Sequence, residues 1–226
     1  MPPRGGQDET DDVKPLEDVA VLRGEEELFA RAGHLFTGAT EFACAANDMH
    51  TWAVARSRVR IPPPASRPKL VRKLYRPAML LDPALSQHLR ELEREGAQIR
   101  ITPDEINETI IIDRRLAILA GGFAGQDRTY SVITRPEVVN SVTSLFDSAY
   151  RGGTELAVYD RRFAELRSLA PRILELLSSG CKDETAARTL GLGLRTYRRR
   201  VAELMAALGA TSRFQAGVRA RELGLV

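Results

Sequence analysis

Arg195, Arg198, Arg199 and Ala202 stand at offsets 0, 3, 4 and 7, a spacing that gathers them on one stripe of a helix. Guanidinium groups in such a row suit an anionic partner, because the planar fork bonds a guanine edge bidentately or grips a phosphate. Leu194, Tyr197, Val201, Leu204, Met205 and Leu208, at offsets 0, 3, 7, 10, 11 and 14, form an opposite apolar stripe that belongs in a core. A solvated basic face is the plain alternative for any single helix. The charge distribution argues for the anionic partner. From Arg161 to Val226 there are 13 Lys/Arg against 6 Asp/Glu, a balance of +7. Residues 1–160 hold 20 against 24, a balance of −4, so the net +3 hides a basic C-terminal third on a mildly acidic body.

The elements around that stripe are short helices. Leu169 to Ser178 carries Ile173, Leu174, Leu176 and Leu177 at helical spacing, with Gly180 behind it as a terminator. Asp183 opens a short helix whose Ala186, Ala187 and Leu190 face inward. Gly191-Leu192-Gly193 is a tight turn with an apolar centre, and the arginine helix then runs from Leu194 to about Leu208. Two helices joined by a short glycine-containing turn form the helix-turn-helix pattern. A last helix spans Ser212 to Leu223, with the Ser212 hydroxyl as its cap.

Gly180 to Ala216 resembles the LuxR-type (GerE-like) helix-turn-helix family. The matching features are the Gly180 loop, the Ala-Ala-x-x-Leu scaffold helix, Arg195-Thr196-Tyr197 leading to Val201, and the run from Leu208 to Ala216 around Ser212, Arg213 and Gln215. The resemblance covers about the last 60 residues. It implies a four-helix, all-α DNA-binding unit and a homodimer with the fourth helix at its interface. Position by position, Thr196 and Arg200 match phosphate contacts, Arg198, Arg199 and Ala202 match places that face bases, and Lys182 matches a backbone contact. The departures are Arg172 where an acidic residue is usual, Ala202 where a longer polar one is frequent, and Tyr197 for a common valine, whose hydroxyl then needs a partner or solvent.

The preceding part reads as an α/β unit. Leu16 to Phe36 is expected to be one amphipathic helix through Val19, Leu22, Leu28, Phe29, Ala32 and Leu35. Glu41 to Ala45 reads as a buried strand, and Ile61 to Pro64 breaks any regular element. Lys69 to Tyr75 alternates as a strand. A helix from Asp82-Pro83 to Gly96 follows, then a strand from Gln98 to Thr102, which together make a β-α-β unit with a parallel pair. A hairpin around Arg114-Arg115, a strand from Thr129 to Thr134 and a helix from Pro136 complete it, and Arg151 to Thr154 reads as the start of a linker.

This unit resembles phospholipase D-like domains and the related sensor domains of TrmB-type regulators, over roughly residues 40–150, with the match carried by the β-α-β unit and Glu108 to Gly122. That family's phosphodiesterase motif is His-x-Lys-x4-Asp. Aligned on Asp113, Ile106 falls at the histidine and Glu108 at the lysine. Isoleucine cannot form a phospho-enzyme and glutamate repels a phosphate, so the resemblance implies a catalytically dead copy. Asp113 reads either as a hairpin-turn residue or as a polar relic of a ligand cleft, which His50 and Trp52 could also line. Arg72, Lys73 and Arg76 read as an anion site or as a protected strand edge. No phospho-acceptor acidic pair follows the Glu41 to Asn47 stretch, which argues against a receiver domain.

The expected architecture is an α+β/α two-domain chain: an acidic disordered tail over 1–14, an α/β regulatory or dimerisation domain with a mixed sheet over 15–150, a linker over 151–160, and a helix-turn-helix domain over 161–226. Hydrophobic residues make up 43% of the chain and charged residues 28%, ordinary for a globular protein. No run of 18 apolar residues suggests a membrane span, and the acidic start at Asp8, Glu9, Asp11 and Asp12 does not read as a secretory signal. Cys44 and Cys181 are far apart, which fits a reducing cytoplasm. His34 and His88 lack partners at metal-ligand spacing. The resulting expectation is a non-enzymatic, cytoplasmic, dimeric transcription regulator of actinobacterial type, bound to double-stranded DNA through Lys182, Arg195, Thr196, Arg198, Arg199, Arg200 and Ala202. It needs no cofactor, metal or membrane and answers an unidentified small-molecule or protein effector. The rival readings are a phosphodiesterase tethered to DNA and a ligand-sensing interaction module.

Overall fold

The computed structural model describes residues 18–36, 38–46, 68–124 and 127–226. The expectations for the 1–14 tail, His50, Trp52 and Ile61 to Pro64 lie outside these. The described residues form an α+β fold of one mixed eight-stranded sheet and seven α-helices. In chain order they are β1 (Val19–Arg23), α1 (Gly24–Phe36), β2 (Glu41–Ala46), β3 (Leu70–Tyr75), a 3-10 turn (Pro77–Leu80), α2 (Pro83–Arg94), β4 (Gln98–Ile101), β5 (Thr109–Ile112), β6 (Leu116–Ala124), β7 (Asp127–Ile133), α3 (Pro136–Gly152), β8 (Thr154–Glu155), α4 (Leu156–Ser178), α5 (Asp183–Thr189), α6 (Leu194–Ala207) and α7 (Arg213–Glu222). The sheet order is β1-β7-β6-β5-β2-β3-β4-β8, with β2, β3 and β4 parallel and the other pairs antiparallel.

The β3–α2–β4 crossover forms where local chemistry demands it. The Asp82 carboxylate accepts from the Ala84 and Leu85 N–H groups at 2.7 and 3.3 Å, and Pro83 occupies a first-turn position that needs no donor. The central strands are covered on both faces and so read as apolar runs; Thr109 to Ile112 are all buried. Ala43, Ala45, Leu74 and Ile111 face α3 through Val139, Phe146 and Tyr150. Cys44, Tyr75, Ile110 and Ile112 face the opposite way, in a cluster that includes Leu28, Leu89 and Leu156.

Three expectations are corrected. Val19–Arg23 is not the start of a helix. It is edge strand β1, whose alternating exposure leaves Ala20 and Leu22 buried, and it pairs with β7. Arg72 and Lys73 are not on a sheet edge, because β3 lies between β2 and β4. Residues 151–160, expected as a linker, are the end of α3, all of β8 and the first turn of α4. Gly153 there serves close packing. A Cβ on Gly153 would come within 3.1 Å of Leu74 Cδ1 and of Arg100 Cβ. α4 then runs unbroken for 23 residues, far longer than the Leu169–Ser178 helix expected. Leu156, Phe163, Leu166, Ala170, Ile173 and Leu174 bury along it, in a cluster that continues from the sheet to Leu204 and Ala220.

The three-residue loop between β5 and β6 closes with the Arg115 N–H on Ile112 O at 3.0 Å and holds Asp113 and Arg114 at positive φ (50° and 53°). The Asp113 Oδ1 atom accepts from Thr40 N, Thr40 Oγ1 and Glu41 N at 2.7–2.8 Å and so ties the turn to the start of β2. Partial burial pushes this carboxyl up, but those donors and Arg115 outweigh it and hold it below the usual aspartate range. A depressed folded pKa gives stability that is present at neutral pH and lost as pH falls through that folded value. Asp113→Ala is therefore expected to cost about 1–2 kcal/mol at pH 7 in urea unfolding, with the gap from wild type closing below about pH 4. A gap that stays constant across that range would remove the carboxylate from the account.

Candidate nucleic-acid interface

The recognition geometry begins with the turn before α6. The Leu192 N–H donates to Ala187 O at 2.8 Å and the Gly191 N–H to Arg188 O at 3.0 Å, with Gly191 left-handed at φ 67°. This double bond closes α5 and swings the chain into α6 within four residues. Arg172 of α4 donates to Thr189 O at 3.4 Å at the same helix end. Ser212 caps α7 by accepting from Gln215 N at 3.1 Å.

α6 divides as its sequence periodicity implies. Tyr197, Val201, Leu204 and Leu208 are buried, with Leu194 and Met205 partly so. Arg195, Arg198, Arg199 and Ala202 are exposed, Thr196 is half-buried, and Lys182 stands exposed just ahead of α5. Six of the seven residues singled out from sequence are thus exposed or half-buried. Arg200 is not. It is 9% exposed, and its guanidinium pairs with Glu203 at 2.7 Å and with Glu165 of α4. The hydrogen bond to Glu203 does most to raise its pKa, and the bond to Glu165 binds α6 to α4.

The arginines outside the core differ in how they are held. Arg199 lies 3.7 Å from Glu203. Arg195 makes no ion pair among the described residues. Arg198 donates through Nε to Asp183 Oδ2 at 2.9 Å, and Arg213 of α7 reaches Asp183 Oδ1 at 2.8 Å. These hydrogen bonds, led by that from Arg213, keep the Asp183 carboxyl below its ordinary range. A surface concavity beside α6 is lined by Asp183, Arg198, Ala202, Met205, Ala210 and Arg213. Sequence reasoning missed Asp183 and Arg213 as members of this surface. Their meeting depends on how α7 folds back, which helical spacing within α6 does not encode.

The Tyr197 hydroxyl meets neither partner nor solvent: the residue is fully buried and Oη has no hydrogen-bond partner among the described residues. Burial raises its pKa, with nearby Arg213 opposing.

At the place aligned with a phosphodiesterase motif, Glu108 is buried and pairs with Arg128 at 2.6 Å, while Asp113 is committed to its turn. Arg72 completes a ring with Glu41, Arg114 and Asp147 and lies over the rings of Phe146 and Tyr150. Among the described residues no group of three His, Cys, Asp or Glu could hold a metal, and no helix is long and apolar enough to cross a membrane.

Because a buried hydroxyl without a partner is a cost, Tyr197→Phe is expected to leave stability unchanged or raise it by up to about 1 kcal/mol. Chemical denaturation checks this, and a loss of that size would mean that the hydroxyl is bonded.

No protein-family model matches the chain. It is 31% identical over 157 residues to the Bialaphos biosynthetic pathway regulatory protein of Streptomyces hygroscopicus, across 69% of this chain and 61% of that one. The chain thus spans about three fifths of that relative's length. Among solved structures, the archaeal chromatin protein TrmBL2 gives a TM-score of 0.44 at 16% identity, over 63% of this chain and 55% of that one. NucT from Helicobacter pylori gives 0.48 at 12%, over 61% and 98%. The phospholipase D family member Nuc from Salmonella typhimurium gives 0.43 at 14%, over 61% and 97%.

Proposed function

We propose that this protein is a sequence-specific DNA-binding transcription regulator of LuxR type that inserts α6 into the major groove. The observation that carries the reading is the division of α6. An exposed arginine face stands opposite a mostly buried apolar stripe, on a helix reached through a four-residue turn from a short scaffold helix. The regulatory role named for the Streptomyces hygroscopicus relative supports it. Arg195, Arg198, Arg199 and Ala202 face the groove, and Thr196 and Lys182 meet the phosphate backbone. Arg200, held by Glu165 and Glu203, fixes the pose of α6 in place of a phosphate contact.

In this reading residues 161–226 are the DNA-binding unit, and 15–150 a non-catalytic, phospholipase D-like unit that senses an effector or supports dimerisation in the cytoplasm. Ile106 and the paired Glu108 at the aligned positions support the absence of catalysis. Turnover of a generic phosphodiester by pure protein would overturn that part. The dimer forms through α7, whose Phe214 and Val218 are one turn apart and 84% and 42% exposed.

Arg198→Ala and Arg199→Ala are each expected to weaken specific binding by about tenfold or more in a gel shift while leaving the fold intact. Wild-type affinity is expected to fall steeply with salt, by roughly one power of salt concentration for each phosphate neutralised. Selection from a random duplex library is expected to return paired half-sites about one DNA turn apart. Normal binding by both variants, or no enrichment of any sequence, would sink the assignment.

A further inference from the structure

An arginine that reads guanine does so end-on, with the two terminal nitrogens reaching the O6 and N7 acceptors of one base. That pose leaves Nε unused and leaves a long, flexible side chain to be ordered at an entropic cost. Both conditions are met at Arg198 before any DNA arrives. Asp183 Oδ2 takes the Nε–H at 2.9 Å, so the carboxylate holds the guanidinium by its inner edge and the terminal fork stays outward. Among the described residues, only the exposed Glu184 forms an ion pair with that fork, at 3.9 Å from one terminal nitrogen. The carboxylate is itself fixed, because Arg213 bonds its other oxygen and because Asp183 stands at the first turn of α5, where the helix dipole favours an anion. Its side chain is 14% exposed, whereas that of Arg198 is 58% exposed. Arg199 on the same face has its Nε 3.7 Å from Glu203, beyond hydrogen-bond reach, and that acid is already bonded by Arg200 at 2.7 Å.

We propose that Arg198 reads a guanine in each half-site and that Asp183 is its positioning residue, a buttress that turns a general phosphate-seeking cation into a base reader. The inference rests on DNA binding through α6 and goes beyond it by assigning one base to one side chain. The carboxylate acts in two ways. It pre-pays the ordering of Arg198 for the end-on pose. Its negative charge also offsets the pull of Arg198 on phosphate oxygens, so that contacts made without the correct base gain less.

The test compares full-length wild type with Arg198→Ala, Asp183→Asn, Asp183→Ser and the control Glu184→Gln. Each is used in library selection and in titrations of one selected duplex and its single-base variants. Wild type is expected to favour guanine at one position per half-site by on the order of tenfold or more. Arg198→Ala loses that preference there and nowhere else. Both Asp183 variants weaken the same preference at the same position, bind random duplex more tightly, and show a salt slope steeper by about one. Glu184→Gln, which removes a neighbouring exposed charge, leaves the base preference intact. Melting curves accompany each variant, and two Asp183 substitutions keep a reading if one of them folds poorly. Unchanged guanine preference in a folded Asp183 variant overturns the proposal, as does loss of preference at a different base from that lost with Arg198→Ala. Wild type that enriches no sequence at all overturns instead the DNA-binding reading beneath it.

Discussion

The placement of everything after the sheet depends on one carboxylate. Asp160, in the second turn of α4, accepts from Arg90 of α2 at 2.8 Å, from Arg167 two turns further along α4, and from Ser86 at 3.4 Å. Arg167 donates in addition to Leu80 O in the 3-10 turn. Burial alone would push this carboxyl up, but the two guanidinium groups more than offset it and keep it charged. The network locks α4 to α2 and to the turn that follows β3. Taking away either arginine would leave a partly buried charge uncompensated, the arrangement proteins tolerate least. With α4 fixed at its start, its apolar stripe sets where α6 and α7 must pack, and Arg200 secures α6 to it from the other side through Glu165.

The two ends of the molecule are therefore coupled through a shared core. Arg76, just past β3, comes within 2.7 Å of where a Cβ on Gly209 would stand, so the sheet's parallel centre touches the end of α6 directly. The left-handed Gly209, at φ 65°, both terminates α6 and leaves room for that guanidinium. Any larger residue there would meet strain and an occupied space together.

Much of this was legible in the sequence where one signal had one meaning. Asp82-Pro83 is a helix start in almost any context, and the 3.6-residue stripe of α6 separates core from surface without help. The misreadings came where two physical demands share a signature. Val19 and Leu22 fit a helical period while Ala20 and Leu22 fit an alternating one, and the partner that decides for a strand, β7, lies more than a hundred residues away. Gly152-Gly153 looks like flexible linker, yet Gly153 is small because Leu74 and Arg100 press on it. Arg200 looked like a member of the arginine face; its spacing of three from Tyr197 and four from Leu204 places it on the flank of the buried stripe, and Glu203 at three residues on was a visible sign of its pairing. The Asp183 buttress was not legible, since it joins three helices.

The unbroken α4 has a mechanical consequence. A helix of 23 residues is about 34 Å long, so a tilt of about 5° at its root moves its far end by about 3 Å. Its root is β8, a two-residue strand on the sheet edge beside β4. Small adjustments at the rim of the sheet are thus magnified at the helices that α4 carries, to about the spacing between successive base pairs.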